Sequence, residues 1–165
     1  MAHDVPVSGV VPVSEMFGEN EDETQRLLNM EERAREFITT FAWCGGIRDF
    51  YYGAGIGDVF AVFLAHIEPT QEPVDEYLWI VVGDFPSAYL VTDECPAPKE
   101  ALEGYIWEMR KWVALAKQGK TSKDVIPVNV PATPEWAERL ELRLDALEQR
   151  IIPSWFTSTK HDYAK

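Results

Sequence analysis

Cysteine, histidine and long apolar runs are scarce in this sequence, and each scarcity closes a class of function. Cys44 and Cys95 are the two cysteines in 165 residues. They form neither a CxxC pair nor the dense spacing of a disulfide framework, which agrees with a reducing compartment. Of the three histidines, His3 and His161 lie near the ends, so a metal site on His66 would need Asp58 or distant carboxylates to complete it. No metal and no cofactor is assigned. The longest apolar run, Val59 to Ala65, is far short of the roughly 20 residues that span a bilayer. The opening MAHDVPVSGVVPVSEMFG has no cationic leader ahead of an apolar segment and does not read as a secretory signal. The expectation is a cytoplasmic protein that makes no membrane contact.

Basic residues are the other shortage. Fifteen Lys and Arg stand against 28 Asp and Glu, for a net charge of -13. Residues 1–36 carry nine acids and three bases, and residues 37–98 carry nine acids and Arg48 alone. The remaining ten acids and eleven bases nearly cancel, so the linear count places the negative field in the first 98 residues. Such a field disfavours nucleic-acid phosphates and anionic membranes and favours a basic protein partner.

Two glycine motifs fail on inspection. GKTS at 119–122 has Ala114 where a phosphate-binding loop needs its first Gly, and a helix rather than a strand leads into it. GAGIGD at 53–58 ends in Asp58 where the dinucleotide pattern needs a third Gly, and a strand pattern follows it. It reads as a turn between strands.

What is present is a folding core. The chain is 46% hydrophobic and 12% aromatic, too apolar for a disordered protein and of single-domain length. Residues 1–20 mix Val, Pro, Ser and Gly without a period and read as an extended or disordered arm. From about Asp22, the residues Leu27, Met30, Ala34, Phe37, Ile38 and Phe41 recur at steps of three and four, which predicts a helix ended by Gly45-Gly46. Strand patterns follow at 47–52 and 59–68. The second has apolar residues on both faces, with Ala61 and Ala65 small enough to admit a helix. WIVVGDFPSAYLVTD at 79–93 reads as a hairpin, Tyr77 to Val82 against Ala88 to Asp93 around Gly83 to Ser87, with Phe85-Pro86 a candidate cis bond. Pro98 opens a second helix, with Ala101, Leu102, Tyr105, Ile106, Met109, Trp112, Val113 and Ala116 as its apolar stripe and Gly119 as its stop. Thr133-Pro134 opens a third, running towards Pro153.

The predicted fold is therefore a single α+β domain over 21–156 with a loose tail at 157–165. A mainly antiparallel sheet of three or four strands carries one N-terminal and two C-terminal helices, in the order α-β-β-β-β-α-α. Strands apolar on both faces also raise the expectation of a homo-oligomer, because three helices leave part of the sheet in need of cover.

Asp49, Asp58 and Asp84 fall at predicted turns or strand ends, where carboxylates cap backbone N–H groups and where a catalytic pair would have to meet in one cleft. With His66 they are the catalytic candidates, and no motif assigns any of them a role. Aromatics crowd the same region, and a surface of Tyr51, Tyr52, Trp79 and Tyr89 ringed by Asp58, Asp84 and Asp93 would have the composition of a protein-binding hot spot. The leading functional expectation is an acidic interaction module for a basic protein partner, a bacterial toxin-neutralising immunity-type protein being one concrete form. A small-molecule binding or sensing domain, with a pocket between sheet and helices, is the alternative. An enzyme using the strand-end carboxylates is the third reading.

Overall fold

Alternation along the 59–68 segment organises the whole molecule. In the computed structural model, which describes residues 5–156, Phe60, Val62 and Leu64 enter one hydrophobic core and Ala61, Phe63, Ala65 and Ile67 enter another on the opposite side. The sheet between these cores is an antiparallel meander of five strands in chain order. They are β1 (Val11–Pro12), β2 (Cys44–Ile56), β3 (Phe60–Pro69), β4 (Tyr77–Gly83) and β5 (Phe85–Val91).

Helix α1 (Glu21–Thr39) packs on the alanine face through Leu27, Met30, Ala34 and Ile38. Asn20 caps it by accepting from the Glu23 amide at 2.9 Å, and Glu21, Asp22 and Glu23 complement the helix dipole in the first turn. Helix α2 (Pro98–Ala116) covers the other face with every residue of its predicted stripe buried. Beside it lies α3 (Pro134–Ala146), capped by Thr133 and continued through a π-helical turn at Leu147–Ile151 into the short α4 (Ile152–Trp155). The fold is α+β, with helices packed on both faces of the sheet.

Three boundaries differ from the sequence expectation. Part of the N-terminal arm belongs to the fold: Val11 and Pro12 pair with Tyr52 and Tyr51, and Val5, Val7 and Val10 pack on the α2 side. This supplies the fifth strand. Helix α1 stops at Thr39, and Gly45-Gly46 opens β2 instead of ending the helix. Strand β2 then runs through the GAGI run, with register shifts marking bulges, instead of breaking there. Gly53 is in the strand for lack of room, since a Cβ there would lie 2.7 Å from Pro98 Cγ at the start of α2. The tail 157–165, with His161, lies outside the described residues, as does His3.

The hairpin is tighter than predicted. Val81 pairs with Ala88 and Gly83 with Phe85, leaving Asp84 alone at the reversal, and the cis peptide bond is Glu72–Pro73, not Phe85–Pro86. The backbone passes so close to β3 that a Cβ on Gly83 would lie 2.3 Å from the Val59 carbonyl oxygen. Gly83→Ala is expected to destabilise by about 1–3 kcal/mol, because backbone on both sides must shift. Urea unfolding checks it, and an unchanged midpoint would contradict the close approach.

Tyr105 of α2 fastens the hairpin to the helix. Its hydroxyl donates to the Pro86 carbonyl, its ring lies 5.2 Å from that of Phe85, and burial pushes its phenol far above the ordinary 10.0. A phenol that keeps its proton in the fold but loses it in the unfolded chain contributes fully below pH 10, and its contribution is lost as pH rises beyond that value. The protein is expected to lose stability steeply above pH 10, and Tyr105→Phe should flatten that alkaline limb while costing stability at neutral pH. Unfolding curves collected across this pH range would show it.

Candidate functional site

The predicted site residues do not gather in one place. Asp49 and His66 face each other across β2 and β3, near the end of the sheet where Glu76 precedes β4. Asp58 and Asp84 lie at the opposite end, where the Asp84 amide donates to the carbonyl of Val59 at 3.0 Å. Six residues of β3 separate the two ends, roughly 20 Å at strand rise. Each carboxylate at the far end meets an arginine: Asp58 is 3.5 Å from Arg26, and Asp84 is 3.2 Å from Arg143. Asp49 is therefore out of reach of Asp58 and Asp84, and these two are each engaged by a separate arginine.

At the Asp49 end, His66 is held on both ring nitrogens. Nδ1 lies 3.0 Å from Asp49 Oδ2 and Nε2 lies 3.2 Å from Glu76 Oε1, while the ring stacks on Tyr77 at 4.3 Å. Burial, then the Asp49 charge, raises the phenols of Tyr77 and Tyr51 beside it. A histidine clamped in this way has its ring orientation fixed by its neighbours. Among the described residues no group of three His, Cys, Asp or Glu is arranged to hold a metal ion.

The proposed aromatic surface is also dispersed. Tyr52 and Trp79 are core residues, 1% and 0% exposed, and take no part in any surface. Trp79 sits centrally in β4 between two paired strands, and its indole N–H donates to the Cys95 carbonyl at 2.8 Å. The ring of Tyr89 packs edge-on against Phe41 and Trp43 on the α1 side. Tyr51 is half-buried and Asp93 exposed, far apart on the sheet.

Tyr89 and Glu94 do border one substantial feature. A groove of about 820 Å³ runs between the C-terminal half of β5, one stripe of α2 and the segment 124–127. The helix supplies Glu100, Glu103, Gly104, Trp107, Glu108 and Lys111, and Glu94 and Asp124 complete its acidic rim. Gly104 sets the depth: its missing side chain leaves α2 close to Cys95 and Leu90, which a Cβ would meet at 3.3 and 3.5 Å. Trp107 stands 66% exposed in this groove.

Lys111, the single base in the lining, is already engaged by Glu108 at 3.2 Å. Arg110 of α2 turns to α3, where it bonds Asp145 and Glu148, and Lys117, just past the end of α2, meets Glu141 at 2.7 Å. That division leaves the groove side of α2 acidic. The field reaches Cys95, whose thiol is pushed up first by burial and then by Glu100 and Glu94. Linear charge counting missed Glu100, Glu103, Glu108 and Asp124 because they share a near-neutral stretch of sequence with bases such as Arg110 and Lys117, which α3 engages.

No protein-family model matches this sequence, and no curated protein or solved structure matches it. No helix of the described residues is long and apolar enough to cross a membrane.

Proposed function

We propose that the protein is an interaction module for a basic protein partner and that the groove between α2 and β5 is the surface it uses. The observation that carries this reading is the exposed Trp107 inside a lining of five acids and one base. Tryptophan in a concave, partly dry setting is the residue type that dominates binding energies, and acids around it attract a cationic segment before contact. The occupant this chemistry suits is an extended basic segment with an apolar side chain set against Trp107. Neutralisation of a basic bacterial toxin is one form such a module would take. A cytoplasmic setting belongs to the same proposal and suits two free thiols, Cys44 and Cys95, that lie on opposite sides of the sheet.

The test is the association rate of a peptide of alternating Lys and Val, followed by stopped-flow tryptophan fluorescence at increasing salt. Electrostatic steering predicts a rate that falls about tenfold or more from low to high ionic strength. A salt-independent rate, or an Asp/Val peptide that binds equally well, would contradict the proposal.

A further inference from the structure

At the opposite end of α3 from the π-helical turn, the surface changes sign. A cavity of about 290 Å³ opens between the Asp84 reversal and α3, lined by Phe85, Pro86, Val130, Leu140 and Trp136 with Asp84, Asn129, Arg139 and Arg143 as its polar members. It is built from three elements that sequence separation keeps apart: the hairpin, the segment before α3 and the first three turns of α3. The volume is at the small end of the roughly 300–1,000 Å³ typical of ligand pockets.

The charge balance here runs against the rest of the molecule. Two arginines face one aspartate in the lining, a local excess of one positive charge in a chain of net charge -13. Asp84 is already satisfied, since Arg143 donates to it through Nε, and the same guanidinium is steadied by the Arg139 carbonyl at 3.3 Å. Arg26, Arg35, Arg48 and Arg110 likewise meet carboxylates. Arg139 meets none among the described residues. Its guanidinium lies over the Trp136 ring, 5.0 Å from the centroid, at the cavity wall.

An arginine without an acid partner, set over a tryptophan ring beside an apolar floor, recognises a particular chemistry. The guanidinium offers paired donors that match a carboxylate, and the floor accepts a flat apolar body. We propose that this cavity is a binding site for a small organic carboxylate with an aromatic or similarly flat apolar body. Arg139 bonds the carboxylate, Trp136 and Leu140 flank the ring, and Asp84 serves to hold Arg143 in place. A cationic ligand would bring its charge against two guanidiniums, and a neutral one would leave the donors of Arg139 to water. This site is separate from the acidic groove and stands whether or not the groove binds a basic partner.

The experiment follows the Trp136 indole N–H resonance in the isotope-labelled full chain while benzoate, indole-3-acetate, benzyl alcohol and benzylamine are added separately. The expected result is a saturable shift of Trp136 with one or both carboxylates near about 1 mM, with benzyl alcohol markedly weaker and benzylamine inert. Arg139→Met, which keeps an apolar side chain over Trp136 and changes an exposed position, should weaken carboxylate binding about tenfold or more. Arg139→Lys should recover part of it through charge alone. The proposal is overturned if neither carboxylate shifts Trp136, if benzylamine shifts it equally, or if Arg139→Met binds as the parent protein does.

Discussion

Trp79→Ala is expected to remove about 3–5 kcal/mol of stability, the range for deleting a fully enclosed aromatic side chain. Trp79 has no exposed surface, pairs with Leu64 on β3 and Leu90 on β5, and belongs to the core beneath α2. Its indole N–H also secures the Cys95 carbonyl, which ties the segment after β5 to the sheet. Since domains of this size are stable by about 5–15 kcal/mol, the alanine variant should sit close to its unfolding threshold. Trp79→Phe separates the two contributions: most of the packing stays, but the Cys95 carbonyl loses its donor, at a cost of about 1–3 kcal/mol. Had Trp79 been a surface residue, alanine would change stability by no more than about 0.5 kcal/mol. Urea unfolding monitored by circular dichroism distinguishes these values, and a near-native midpoint for the alanine variant would remove Trp79 from the core.

Reversing the groove charge is the second large effect. Glu100→Lys, Glu103→Lys and Glu108→Lys together turn three acids of the lining into bases beside Lys111. Association with a basic segment is expected to slow by about 10- to 1,000-fold and to lose its salt dependence, because attraction over the approach path becomes repulsion. The fold should survive. None of the three side chains is buried, the Glu108–Lys111 contact is exposed, and such ion pairs contribute about 0–1 kcal/mol. Glu100 lies in the first turn of α2, so its reversal also costs about 0.3–1 kcal/mol at the helix dipole. Rapid-mixing kinetics on the triple variant, with its melting curve as control, separates lost steering from lost structure. Unchanged kinetics in a folded variant would remove the groove from the account.

Where one rule dominated, the fold was legible in the sequence. The α2 stripe, Ala101 to Ala116, has an unbroken helical period with Pro98 at its start and Gly119 after its end, and nothing in the tertiary structure competes with it. The two faces of β3 followed from alternation alone. Legibility failed where a residue type had two uses. Gly53 and Gly55 read as turn residues, yet they keep β2 clear of Pro98 and of Leu27, a constraint that exists only once the helices are in place. The two-residue β1 is too short to show a period, and its pairing with Tyr51 and Tyr52 spans some 40 residues of chain.

The site was harder to see than the fold. Tyr52 and Trp79 look like surface aromatics in composition but are core residues, because β2 and β4 are both internal strands. Trp107 carried a usable signal: it falls outside the α2 apolar stripe and so must face away from the core. Glu100, Glu103 and Glu108 could not be identified as an acidic face until α3 had claimed Arg110 and Lys117. Asp84 began as a turn residue and proves to be one, with a second use in steadying Arg143 at the anion-selective cavity.

The central claim, that the acidic groove receives a basic segment, is tested most directly by the indole N–H resonance of Trp107 during titration with the Lys/Val peptide. The account predicts a saturable, salt-sensitive shift of Trp107, accompanied by the amides of residues 89–91 and 124–126 that line the same groove. A Trp107 resonance that stays fixed while the peptide binds elsewhere, or a peptide that does not bind at low salt, would contradict it.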